Sequence, residues 1–123
     1  MREIKFRAWE LNKGLGGRMM EPFTLNDIHN RKYVATGFAD EIYYMQFTGR
    51  KDKNGKEVYG GDIVKCVNEH IGVVEWEVHD ACFNVTDYYD SSDDYPTMAF
   101  IEGQPFEVIG NIYENPELIN PKL

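Results

Sequence analysis

Gly72-Val73-Val74-Glu75-Trp76-Glu77-Val78-His79 is the stretch on which the fold turns. Val74, Trp76 and Val78 take every second position, with Val73, Glu75, Glu77 and His79 between them. That two-residue period is the signature of a strand with a core face and an outer face. Phe83 and Val85 continue the inward alternation after a short break. Upstream, the tight turn Tyr59-Gly60-Gly61-Asp62 feeds a short buried strand, Ile63-Val64-Lys65-Cys66-Val67. Downstream, Met98–Glu102 and Phe106–Tyr113 read as two more strands, the second interrupted at Gly110. The strands from Gly61 onward suffice for a small, partly open barrel of SH3-like or OB-like type.

The first half adds strands. In residues 3–9, Ile4, Phe6 and Ala8 alternate with Glu3, Lys5, Arg7 and Trp9. Residues 10–18 hold three glycines and read as a mobile loop. Thr24 followed by Asp27 fits the cap of one helical turn, whereas Lys32–Thr36 looks extended. Ile42–Thr48 is a strand by composition, and Asp52-Lys53-Asn54-Gly55-Lys56 is a turn, because Asn-Gly tolerates positive φ. Asn115-Pro116 fits the start of a last short helical turn, with Asn115 as its cap. The expectation is a mainly β chain with at most one or two short helical turns. It forms a single domain over residues 1–123, with 1–57 as an N-terminal β portion with loops and 58–123 as the barrel-like portion.

The totals agree with a folded core. The chain has 123 residues, 42% of them hydrophobic and 28% charged, ordinary values for a globular domain. No run approaches the roughly eighteen apolar residues that span a bilayer, and Met1–Arg7 has no apolar signal-peptide core, so a cytoplasmic protein is expected. Cys66 and Cys82, the two cysteines, fit reduced thiols and no disulfide framework. The net charge of −8 is unevenly divided: residues 1–60 carry eleven Lys/Arg against eight Asp/Glu, and residues 61–123 carry two against thirteen. Such a division orients a partner or favours head-to-tail self-contact.

Catalytic chemistry finds little support. Ser91 and Ser92 sit among acidic residues with no nucleophile elbow. Cys66, His70, His79 and Cys82 are suitable zinc donors, but their spacing is not that of a zinc knuckle, and a bulge is needed to bring His79 and Cys82 to one side. Glu75 and Glu77 share a strand face about 7 Å apart, near the spacing of a glycosidase pair, without an apolar pocket to raise one pKa. Asp87, Asp90, Asp93 and Asp94 do not follow a calcium-loop pattern. Gly60-Gly61-Asp62 and Gly14-Leu15-Gly16-Gly17 lack the lysine and helix of a phosphate loop. Nucleic-acid binding has more behind it: Arg2, Lys5, Arg7 and Trp9 share a strand face, with Lys13, Arg18, Arg31, Lys32, Arg50, Lys51 and Lys53 in nearby loops. The acidic second half opposes it, and fits an imitation of DNA instead.

Three segments carry a family resemblance: Met1-Arg2-Glu3-Ile4-Lys5-Phe6-Arg7-Ala8-Trp9, the run from Met45 through Gly49, Asn54-Gly55 and Gly61-Asp62 to Val64, and Val108-Ile109-Gly110-Asn111-Ile112-Tyr113-Glu114-Asn115-Pro116-Glu117-Leu118. In this order the chain resembles the YopX family of phage and prophage proteins of low-GC Gram-positive bacteria. It departs from the usual family pattern at Glu10, Arg50 and Gly60. The resemblance implies a mainly β fold with an SH3-like barrel portion and a phage or prophage origin. It brings no activity and no functional residues. The expected protein is thus a non-catalytic interaction module acting on a host or phage protein, alone or as a homo-oligomer, without cofactor or membrane. The alternative is a nucleic-acid-associated protein using its basic N-terminal strand face. A small metal-dependent enzyme and an acidic DNA mimic come after these.

Overall fold

In the computed structural model, the structure describes residues 4–30, 39–65, 71–77, 82–87, 96–97 and 105–119. Ten strands are assigned there: β1 (Lys5–Asn12), β2 (Gly16–Met19), β3 (Phe23–Thr24), β4 (Glu41–Lys51), β5 (Glu57–Tyr59), β6 (Asp62–Lys65), β7 (Ile71–Glu77), β8 (Cys82–Asp87), β9 (Pro96–Thr97) and β10 (Glu107–Asn111). They form two antiparallel sheets. The first runs β2-β1-β4-β5, with β3 also paired to β1, and the second runs β10-β6-β7-β8-β9. One of the two sheets is curled into a half-barrel, and the mainly β expectation holds.

Residues 10–18, expected to be a loop, instead form a hairpin. Trp9 pairs with Met19 and Asn12 with Gly16. The side chain of Asn12 accepts from the backbone N–H groups of Gly14 and Leu15, both at 2.9 Å, and so closes the turn. Of the glycines that suggest mobility, Gly14 lies in the turn, Gly16 takes a positive φ at the start of β2, and Gly17 leaves room for the Trp9 ring. Thr24 does start a helix, α1 (Leu25–His29): its hydroxyl accepts from Asp27 N–H and the Asp27 carboxylate accepts from Thr24 N–H, a reciprocal capping box. Asn115 precedes the short 3-10 turn Pro116–Leu118 but makes no side-chain cap. Its amide oxygen reaches back to Asn111 N–H at 3.2 Å, tying the turn to the end of β10.

Asp52 does similar work over a longer range. One carboxylate oxygen accepts from Asn54 and Lys56 N–H, holding the Asn-Gly turn in which Gly55 has φ +83°. The other accepts from Val108 N–H at 3.0 Å, fastening the turn to β10. The core divides in two. Val58, Val64, Val74, Val85, Phe106 and Val108 form one cluster, with Phe83 against them. Met45, Phe47 and Tyr59 form the other cluster, flanked by Trp9, Met19 and Tyr113. The expected two faces of β7 are only half observed. Val73 and Val74 are both buried, whereas Trp76, expected in the core, is 49% exposed. The strands Lys32–Thr36 and Met98–Glu102 lie outside the described residues.

Burial alone would raise the pKa of Asp52, but the N–H donors of Val108, Lys56 and Asn54 outweigh it and hold the carboxyl below its ordinary value. A lowered carboxylate adds stability above its unfolded pKa of about 3.9 and loses it as the pH falls through the folded value. Asp52→Asn is expected to lower the unfolding free energy by about 1–2 kcal/mol at pH 7. In urea titrations the gap to the parent should close below about pH 4; a gap that stays constant with pH would contradict the charge-based account.

Candidate functional site

β1 and β6 meet through one ion pair. An Arg7 Nη donates to Asp62 Oδ1 at 2.6 Å, with the Asp62 side chain 1% exposed. The same guanidinium lies 4.6 Å from the centre of the Tyr59 ring and touches the Met45 sulfur at 3.3 Å. Asp62 Oδ2 accepts from Tyr59 N–H at 2.8 Å, so the carboxylate also closes the Tyr59-Gly60-Gly61-Asp62 turn. Desolvation raises the Asp62 pKa, against the pull of Arg7 and the Tyr59 amide. Tyr59 is pushed up to about 12 by burial and the nearby Glu57 charge.

This geometry commits the two described cations of the expected basic strand face to partners within the fold. Lys5 and Arg7 point inward. Lys5 pairs with Glu57 and lies over the Phe47 ring, Arg7 is held by Asp62, and Trp9 stacks on Tyr113 at 6.1 Å. Charges neutralised in this way release no counterions from a phosphate backbone. Of the loop cations, Arg18 pairs with Glu10, Lys13 with Glu41 and Lys53 with Glu107. Arg2, Arg31 and Lys32 lie outside the described residues. Of the zinc candidates, Cys82 is exposed on β8 and in no disulfide, while Cys66, His70 and His79 lie outside the described residues. Among the described residues, no group of three metal-ligating side chains comes together. Glu75 is exposed on β7, and the side chain of Glu77 and the loop with Asp90, Asp93 and Asp94 lie outside.

What the structure does assemble is an aromatic groove of about 330 Å³ where the sheets join. Its floor is Gly60-Gly61, where Gly60 N–H donates to Gln46 O on β4 and Gly61 N–H donates to Val74 O on β7. Gly61 has φ +92°, a conformation glycine adopts without strain. On the β7 bank, the Trp76 ring meets Phe83 edge-on at 5.1 Å. At the far end Tyr113 borders the groove and stacks on Tyr43 at 5.3 Å. Tyr43 donates its hydroxyl to Glu41, and that hydrogen bond raises its pKa. Alternation and turn chemistry assign the residues at the centre of this groove to core or turn. The missed signal is length: β6 has four residues beside the seven of β7, so the end of β7 outruns its cover.

The fold and groove define a two-sheet β protein with an aromatic cleft at the junction. Its sequence matches the family model described as YopX protein over residues 5–120. The chain belongs to the YopX family. Its fold is similar to the crystal structure of protein EF1440 from Enterococcus faecalis, with a TM-score of 0.50 and 22% identity over 97% of this chain and 99% of that one. No curated protein matches by sequence. Among the described residues, no helix is long and apolar enough to cross a membrane.

The ion pair yields a direct expectation. Arg7→Met strands a buried carboxylate and should cost about 3–5 kcal/mol, whereas Lys5→Met, whose partner Glu57 is partly exposed, should cost under about 1 kcal/mol. The Arg7→Met deficit should shrink in acid, since protonation of Asp62 removes the stranded charge. Denaturant unfolding at pH 7 and pH 4 checks both; equal costs for the two variants would show that Arg7 is not the joint.

Proposed function

We propose that this YopX-family protein is a non-catalytic interaction module, a phage or prophage accessory protein that binds a host or phage protein in the bacterial cytoplasm. The observation that carries this reading is Trp76, 49% exposed at the rim of the aromatic groove and braced by Phe83. Tryptophan and tyrosine dominate the energetics of protein interfaces, because a large rigid ring buries much area at little entropic cost. Here Trp76, Phe83 and Tyr113 converge on one cleft. The nucleic-acid reading loses its main support once Lys5 and Arg7 are committed to Glu57 and Asp62.

Affinity capture from host lysate tests the proposal, with parent and Trp76→Ala baits, each with and without nuclease. The expected result is a nuclease-resistant protein held by the parent at near-equal stoichiometry and reduced about tenfold on Trp76→Ala, a loss of about 1.4 kcal/mol. Circular dichroism should show the variant folded like the parent. Equal capture by both baits would move the interface away from the groove, and recovery of nuclease-sensitive nucleic acid would favour the alternative.

A further inference from the structure

The groove is more than an apolar depression, because both of its banks are strand edges. On β7, β6 pairs only with Ile71–Val73, and the bond from Gly61 N–H to Val74 O shows which flank the even-numbered residues face. Backbone groups alternate sides along a strand, so Trp76 directs its N–H and C=O to that same flank, past the end of β6. On β4, the bond from Gly60 N–H to Gln46 O shows that Gln46, Tyr44 and Ile42 face away from β1. Strand β5 pairs with β4 only at Phe47 and Lys51. Among the described residues, Trp76, Tyr44 and Ile42 have no backbone partner on these flanks. Gly60-Gly61 is itself a single chain between β4 and β7, bonded to one through each N–H. Where it bonds to both, the space between the strands is one chain wide, and the groove continues that space.

Charge narrows the occupant. Among the described residues lining the groove, Glu75 carries the one charge, and there is no lysine or arginine. The half of the chain that supplies β7 has thirteen acidic residues against two basic ones. Glu75 and Trp76 are neighbours on one strand and so point to opposite faces. A strand laid beside β7 meets a carboxylate on one face and an aromatic ring on the other, and cross-strand pairs of opposite charge and of apolar groups stabilise such an arrangement.

We propose that the groove receives an extended segment of a partner protein as an added strand, with basic and apolar residues in alternation. The basic side chains face Glu75, the apolar ones face Trp76 and Phe83, and the segment's backbone pairs with Trp76 and Tyr44. Main-chain bonds then supply affinity and the alternating side chains supply selectivity. This deepens the reading of the protein as an interaction module and rests on it.

The test uses the full chain and three synthetic peptides. One alternates lysine with valine, the second replaces lysine by glutamate, and the third is the first with N-methyl groups along one backbone edge. The lysine–valine peptide is expected to bind and, at saturation, to slow hydrogen exchange at the Trp76 and Tyr44 amides at least tenfold. The glutamate and N-methylated peptides should each bind about tenfold more weakly. Absence of binding by the lysine–valine peptide at millimolar concentration would overturn the proposal. So would binding that leaves both amides exchanging freely, equal affinity for the glutamate peptide, or indifference to N-methylation. Each of these outcomes leaves the Trp76→Ala capture result intact, so failure of the added strand is distinguishable from failure of the interaction reading.

Discussion

The pairing of Arg7 with Asp62 organises the molecule. Arg7 lies in the middle of β1, and Asp62 is the first residue of β6, fifty-five positions away. Their bond therefore joins the first sheet to the second. A buried carboxylate is costly to desolvate, and its attraction to a cation repays that only with good geometry and further hydrogen bonds. Both are present: the contact is 2.6 Å, and Tyr59 N–H satisfies the second oxygen. Such a pair contributes little net stability compared with an apolar contact of equal volume, yet it tolerates few alternatives. A sheet displaced by one residue would leave two charges buried and unmatched. On this account the pair acts chiefly as a register pin.

Other short polar side chains repeat the device at smaller scale. Asp52 binds its own turn and β10, Asn111 accepts from Tyr113 and Glu114 N–H, and Asn12 closes the first hairpin. Each sits where the chain reverses and backbone N–H groups lack a ladder partner. This small two-sheet protein has little helix to anchor its turns, and α1 buries no residue at all. Its turns are held by side-chain acceptors, while valines and aromatic rings fill the space between.

Much of the fold was legible because alternation and turn chemistry are local. β1, β4 and β7, the Asn-Gly turn, the Gly-Gly turn and the Thr24 cap can each be read from a few neighbouring residues. The hairpin at residues 10–18 was not, since three glycines signal looseness equally with a tight reversal, and only Asn12 and the pairing of Trp9 with Met19 decide between them. The direction of the basic face was also hidden. Lys5, Arg7 and Trp9 alternate as any exposed charged face would, and the residues that turn them inward, Glu57, Asp62 and Tyr113, are fifty or more positions away. The groove was hidden for a related reason. Periodicity assigns Trp76 to the face of Val74 correctly, but whether that face is covered depends on where the neighbouring strand stops.

That stopping point ties the joint to the groove. Asp62 has to begin β6 where it does, because its carboxylate must reach Arg7 and Tyr59 N–H together. The chain before it must then leave β7 and cross to β4, which Gly60-Gly61 does without side chains in the way. Among the described residues, β7 therefore has no neighbour on this flank beyond Val74, and its next residue on that face is a tryptophan. Unpaired strand edges are a hazard that folded proteins usually blunt with charge, proline or a covering loop. Here, among the described residues, Glu75 is the one charge beside the Trp76 flank and no proline lies there; aromatic rings frame it. An open edge with such a frame is suited to accept a strand, and the ion pair that registers the two sheets is what holds it open.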